Sequence, residues 1–244
     1  LLKPKIMRLN FIERFYLEIL GNHPSYELLI LNSTTQKNTR AKAFKYKDLL
    51  INGQPRNDVF FKKNVHPYLV GIDADVYNKC IEFKKKGYKL AAYCPTHRRP
   101  TETFLKLKDT LDVKRLNKFA VDNKIIFIFK YHPKTLKEHT YDLSETSNIL
   151  EYRKTSDVYP LLGKCDLMIT DYSSIFVDYL LLDKPVVFFP FDHDHYVNSE
   201  RALQFDYEEV TPGKKCFTYN EFEAELKKTI VKGTDSYKKS RKEV

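Results

Sequence analysis

The chain has 244 residues, 42% of them hydrophobic, enough to bury a sizeable core, and at roughly 100–200 residues per domain the length fits one main domain. Its 42 Lys and Arg against 32 Asp and Glu leave a net charge of +10, which suits a polyanion: nucleic acid, an anionic membrane face or a phosphate-rich polymer. Four cysteines, far apart and without CxxC spacing, suggest neither a cysteine metal cluster nor a disulfide framework, and a reducing cytoplasm is the default expectation.

In chain order, amphipathic helices are predicted at Asn10 to Leu20 and Gln36 to Tyr46 around a short strand at Glu27 to Leu31, with another apolar run at Asp48 to Ile51. Then come a helix at Asp73 to Lys86, a strand at Tyr88 to Tyr93, mostly helix over Thr101 to Val121, and an almost uninterrupted apolar strand at Lys124 to Tyr131. A shorter strand is predicted at Asn148 to Tyr152 and a short helix at Ser156 to Gly163. A tight βαβ unit follows: a buried strand at Asp166 to Thr170, a polar turn at Asp171 to Ser174, a helix at Ile175 to Asp183, and the strand PVVFF. A strand at Lys215 to Thr218 and a basic helix at Tyr219 to Lys232 close the series. Runs such as IIFIF and PVVFF, apolar on both faces, belong to a parallel sheet covered by helices on both sides. The fold class is therefore α/β. Tyr131, Tyr172 and Tyr179 lie in apolar runs, where core packing is expected rather than base stacking.

The turn at Asp171-Tyr172-Ser173-Ser174 is the most informative local feature. Its residues are helix-capping types, and a helix amino end with free N–H groups and two hydroxyls favours an anion, phosphate above all. Asp178, one turn beyond Ser174 in an otherwise apolar helix, is placed to hold the turn or reach a ligand hydroxyl. In an open parallel sheet ligands bind outside the carboxyl ends of the strands. Here those ends are polar: Pro95-Thr96-His97-Arg98-Arg99, Lys130-Tyr131-His132-Pro133-Lys134, Asp171 to Ser174, and Pro190-Phe191-Asp192. Arg98 can hold a phosphate with a two-pronged hydrogen bond, and His132, fixed by Pro133, can donate from its ring to a phosphate oxygen or leaving group. The plainer alternatives are helix caps for Asp171, Ser173 and Ser174, a structural histidine, and a solvated Arg98-Arg99 pair. Neither GxGxxG nor GxxxxGK[ST] is present, so no dinucleotide fold or P-loop is supported. The acidic residues form no recognisable metal-ligand set, and no cofactor is expected.

These motifs, in this order, resemble the CDP-glycerol glycerophosphotransferase family, which builds poly(glycerol phosphate) and poly(ribitol phosphate) teichoic acids and related capsules. Gly53-Gln54-Pro55-Arg56-Asn57-Asp58 is similar to the family's G-x-PRND, Tyr93 to Arg98 to its Y-x-PT-x-R, and Lys130 to Pro133 to its K-x-HP. Thr170 to Ser174 with Asp178 is similar to its TDYSS-x-x-x-D, followed by Asp183 to Pro190 with Asp192 and Tyr196, then Arg201, Phe205-Asp206-Tyr207 and Pro212-Gly213. Two positions depart: Ala202 stands where Gly is usual and Lys214 where a second Pro is common.

The resemblance implies a Rossmann-like sheet, the nucleotide-binding half of a GT-B fold, taking CDP-glycerol or CDP-ribitol as donor. His132 would stabilise charge on the leaving CMP. Thr96, Arg98, Lys130, Asp171, Ser173, Ser174 and Asp178 would bind the donor, and Arg56, Asn57, Asp58, Asp192 and Arg201 would lie at a domain join or make secondary donor contacts. The acceptor would be a poly(alditol phosphate) or lipid-linked chain. The family's HG-T-P segment, which carries the expected base, is not found, and the chain opens Leu1-Leu2. Residues 1–52 are accordingly expected to be the tail of an acceptor-side domain and linker, 53–232 the donor-binding domain, and 233–244 a basic tail. The basic closing helix suits an anionic membrane surface at the inner face of the cell membrane, where lipid-linked acceptors sit. No recognition-helix, RNP-type or zinc-finger pattern points to nucleic acid. A GT-B transferase using a nucleotide sugar is the first alternative and a non-enzymatic polyanion-binding module the second.

Overall fold

The computed structural model describes residues 25–39, 41, 44–63, 66, 69–98, 108–137, 140–196 and 205–243. The helix expected at Asn10 to Leu20 and the residue Arg201 lie outside these. The chain divides into two compact units, with the boundary between Asp58 and Val59.

In the first unit, strands β1 (Ser25–Leu31) and β2 (Lys45–Ile51) pair in parallel around helix α1 (Thr34–Thr39). Ser33 Oγ accepts from Gln36 N at 3.3 Å, and Gln36 Oε1 accepts from Asn32 N at 3.1 Å, closing the helix start. The helix expected over Gln36 to Tyr46 is corrected. Thr34, Thr35, Asn38 and Thr39 are weak helix formers, and the following residues pair with β1 in the register Ser25↔Lys45. Gly53 to Asp58 leads into a 3-10 helix at Pro55–Phe60, within which the unit boundary falls.

The second unit is built on a five-stranded parallel sheet in the order β5-β4-β3-β6-β7. The strands are β3 (Lys89–Cys94), β4 (Ile125–Phe129), β5 (Ile149–Glu151), β6 (Leu167–Thr170) and β7 (Val186–Phe188). Helices α2 (Ala74–Lys85), α3 (Val113–Asp122), α4 (Tyr159–Leu162), α5 (Ile175–Tyr179), α6 (Tyr207–Val210) and α7 (Tyr219–Leu226) connect and cover it. Asp73 and Asp112 cap α2 and α3, and Thr218 with Glu221 forms a capping box on α7.

All five residues of β4 are fully buried, so both sheet faces are covered, as the IIFIF run requires. One face packs Ala91, Tyr93, Phe127, Phe129 and Ile169 against Leu116 and Ala120 of α3 and Phe222 and Leu226 of α7. Burying each such aliphatic or aromatic side chain contributes about 1.5–3 kcal/mol. Tyr131, Tyr172 and Tyr179 are core residues, as the sequence suggested.

Two further expectations are adjusted. Lys215 to Thr218 makes only a single bridge, Phe188↔Lys215, because the chain turns at once into the α7 cap. The closing helix is regular over Tyr219–Leu226 and then widens into a π turn at Lys227–Val231. Beyond it Arg241 is buried, donating from Nη2 to Asp183 Oδ1 at 3.1 Å and to Asp235 Oδ2 at 2.5 Å, so the basic terminal segment is anchored.

Gly213 lies against β7, where a Cβ would overlap Val186 O and sit 2.9 Å from the Phe188 ring. Gly213→Ala should lower unfolding free energy by about 1–3 kcal/mol through overpacking, measurable by urea denaturation.

Candidate active site

The strand order reverses between β3 and β6: β4 and β5 continue on one side of β3, and β6 and β7 lie on the other. The carboxyl ends of β3 and β6 therefore flank the switch point, where α/β sheets open a crevice. Their loops meet there through one buried arginine. Arg98, after β3, donates from Nε to Asp192 Oδ2 at 2.6 Å and from Nη2 to Asp192 Oδ1 at 3.0 Å. Nη2 also donates to Asp171 Oδ2 at 2.7 Å, and Nη1 to Thr96 O at 2.8 Å. Asp171 Oδ1 accepts from Thr96 N, Thr96 Oγ1 and Tyr172 N at 2.9, 2.6 and 2.6 Å.

The three charged side chains are at most 2% exposed. Burial alone disfavours the Arg98 charge, but Asp171 and Asp192 outweigh it and hold the guanidinium well above its ordinary pKa. Arg98 also lies under the rings of Tyr172 and Tyr196, its Cζ 5.2 and 4.6 Å from their centroids, and these rings stack with centroids 3.8 Å apart. Tyr207 Oη donates to Asp171 O at 2.9 Å.

The Arg98 fork pairs with Asp171 and Asp192 and fastens the β3 loop to the loops after β6 and β7. Asp192 serves as that fork's buried partner.

The turn before α5 also differs from expectation. Ser174 stands at the helix start with helical backbone angles, and its side chain makes no capping bond. Asp171 turns its carboxylate toward β3 instead of the helix. Ser174 is exposed and Ser173 half-buried. Asp178, buried, accepts from Tyr159 Oη at 2.7 Å, tying α5 to α4.

After β4, His132 is exposed. Its Nδ1 accepts from Lys134 N at 3.1 Å, and its ring stacks on His97 with centroids 5.6 Å apart. Lys130 Nζ donates to Lys154 O at 2.6 Å and Tyr131 O at 3.2 Å, and burial lowers its pKa. Its bonds hold backbone, not an open surface. Lys154 Nζ in turn donates to Thr135 O at 3.0 Å, so the β4 and β5 loops are cross-braced.

Against these loops opens a small cleft of about 20 Å³, lined by Tyr93, Thr96, Arg98, Tyr131, Thr135, Tyr141, Asp171 and Phe191 among others. The sequence reading missed Tyr141 and Lys154, which carry no motif of their own. Their only signal is position, beside the ends of β4 and β5. Arg56, Asn57 and Asp58 lie in the Pro55–Phe60 turn of the chain, Asn57 buried and the other two exposed. Among the described residues no cluster of His, Cys, Asp or Glu could hold a metal ion.

The family model of CDP-Glycerol:Poly(glycerophosphate) glycerophosphotransferase matches residues 10–244. The chain belongs to this family. Over 195 residues it is 28% identical to a teichoic acid poly(ribitol-phosphate) polymerase of Bacillus spizizenii, covering 79% of this chain and 30% of the relative. It is also 28% identical over 212 residues to a teichoic acid poly(glycerol phosphate) polymerase of the same species, covering 82% of this chain and 50% of that protein. The chain thus spans between about a third and a half of these curated relatives. The solved wall teichoic acid polymerase TagF superposes on it with TM-score 0.70 at 23% identity, covering 99% of this chain and 60% of TagF. That likeness shows the fold, and the α/β, GT-B-type architecture read from the sequence is borne out.

Arg98→Met would leave Asp171 and Asp192 buried without their cation, and a loss of about 3–5 kcal/mol is expected by denaturant unfolding. Arg98→Lys should recover little of it, because an ammonium cannot reproduce the planar fork.

Proposed function

We propose that this chain is the donor-binding part of a transferase that moves glycerol phosphate or ribitol phosphate from a CDP-alditol to the terminal hydroxyl of a growing polymer. The polymer is a teichoic acid or capsule, and CMP is released. The observation that carries the reading is the joining of the loops after β3 and β6 at the switch point through Thr96, Arg98 and Asp171, with Ser173 and Ser174 next in the same turn and His132 stacked on His97 of the β3 loop. Family membership supports the same chemistry.

In this reading Ser173, Ser174 and the backbone around them hold the pyrophosphate. The acceptor oxygen attacks the β-phosphorus, the bond from that phosphorus to the CMP oxygen breaks, and the bonding pair leaves with CMP. His132 donates a hydrogen bond to the phosphate charge that grows in that step. Arg98 and Asp192 act indirectly, by holding Asp171 and the β3 loop. The base for the acceptor hydroxyl belongs to a part of the enzyme outside this chain. We place the enzyme in the cytoplasm at the inner membrane face, with its basic closing segment toward anionic lipid. No helix among the described residues is long and apolar enough to cross a membrane.

Calorimetric titration of CDP-glycerol, CDP-ribitol, CMP and UDP-glucose tests the donor class. Cytidine nucleotides should bind, and His132→Ala and Ser174→Ala should each weaken binding about tenfold, or about 1.4 kcal/mol. Binding of UDP-glucose alone would contradict the proposal in favour of a sugar transferase.

A further inference from the structure

We propose that His97 is a positioning residue for His132, its ring stacking on the His132 ring and holding it as an Nε2–H hydrogen-bond donor. The inference rests on the donor-site reading above and names a residue that reading leaves without a role.

The two histidines follow adjacent parallel strands. β3 and β4 pair through Tyr93↔Phe129, and Lys130 N continues the ladder to Tyr93 O at 2.9 Å. The loops therefore leave the sheet side by side, and the rings stack with centroids 5.6 Å apart and planes inclined by 27°. His97 is half-buried and His132 exposed, so the inner ring forms a floor for the outer one.

The edge of the His132 ring is fixed as well. Lys134 N–H donates to Nδ1 at 3.1 Å, so Nδ1 carries no proton, and in the neutral ring the proton resides on Nε2. Thr135 N donates to His132 O at 2.9 Å, and Lys154 Nζ holds Thr135 O at 3.0 Å, which braces the loop from β5. Pro133 disfavours helical backbone at His132.

A neutral donor fits the chemistry. The departing group is a phosphate monoester whose second pKa lies near 6, so it leaves as a stable anion and needs a hydrogen bond instead of a proton.

The test joins histidine 15N NMR of this chain to steady-state kinetics of the full-length enzyme. In the parent protein His132 should show the Nε2–H tautomer. His97→Ala should mix its tautomers and lower kcat about tenfold with little change in KM, as expected when a reacting group loses orientation. His97→Phe, which restores a flat ring, should recover both. Unchanged tautomer and kcat in His97→Ala would overturn the proposal, and so would a loss of kcat with the tautomer unaltered. An undiminished kcat in His132→Ala would instead remove the donor-site reading, while the tautomer measurement still reports on the pair.

Discussion

The candidate site depends on one buried ionic arrangement. Arg98 joins Asp171 after β6 and Asp192 after β7 to the loop after β3. Removing three charges from water is costly, and such a group persists only when nearly every donor and acceptor is matched. Here the guanidinium makes four hydrogen bonds, Asp171 accepts from Thr96 and Tyr172 besides Arg98, and stacked tyrosines close the face. The arrangement is rigid because no member can move without leaving another unsatisfied.

The sheet explains why these three loops can meet at all. Strands from opposite directions of the chain path adjoin at β3 and β6, so their carboxyl ends open side by side. The fully buried apolar strands beneath supply the stability that lets polar loops gather above them. Polar residues gather at that edge, where Thr96, Arg98, His132 and Asp171 to Ser174 follow their strands.

Much of the architecture was legible from pattern. Five apolar strand runs, the α/β alternation and the parallel sheet follow from hydrophobic continuity alone. The location of the site follows from polar residues at strand ends. What pattern could not show was pairing. Nothing in the spelling of PTHR says that Arg98 turns inward to Asp171 and Asp192, because a guanidinium suits a carboxylate as well as a phosphate. Nor does DYSS say that Asp171 reaches across to β3 while Ser174 stays exposed without capping. The Gln36 to Tyr46 error is of the same kind: local spacing looked helical, but a non-local ladder with Ser25–Leu31 decided the outcome. Nor does local spacing show that Asp178 accepts from Tyr159, a partner 19 residues away.

We propose that Arg98 organises the site by holding its three loops together, without touching the donor. A crystal structure of the full-length enzyme with CDP-glycerol bound tests it most directly. Arg98 should remain on Asp171 and Asp192 within hydrogen-bond distance, with the pyrophosphate on the Ser173 and Ser174 turn and within reach of His132 Nε2. An Arg98 side chain released from either aspartate and forked onto a phosphate would contradict the account.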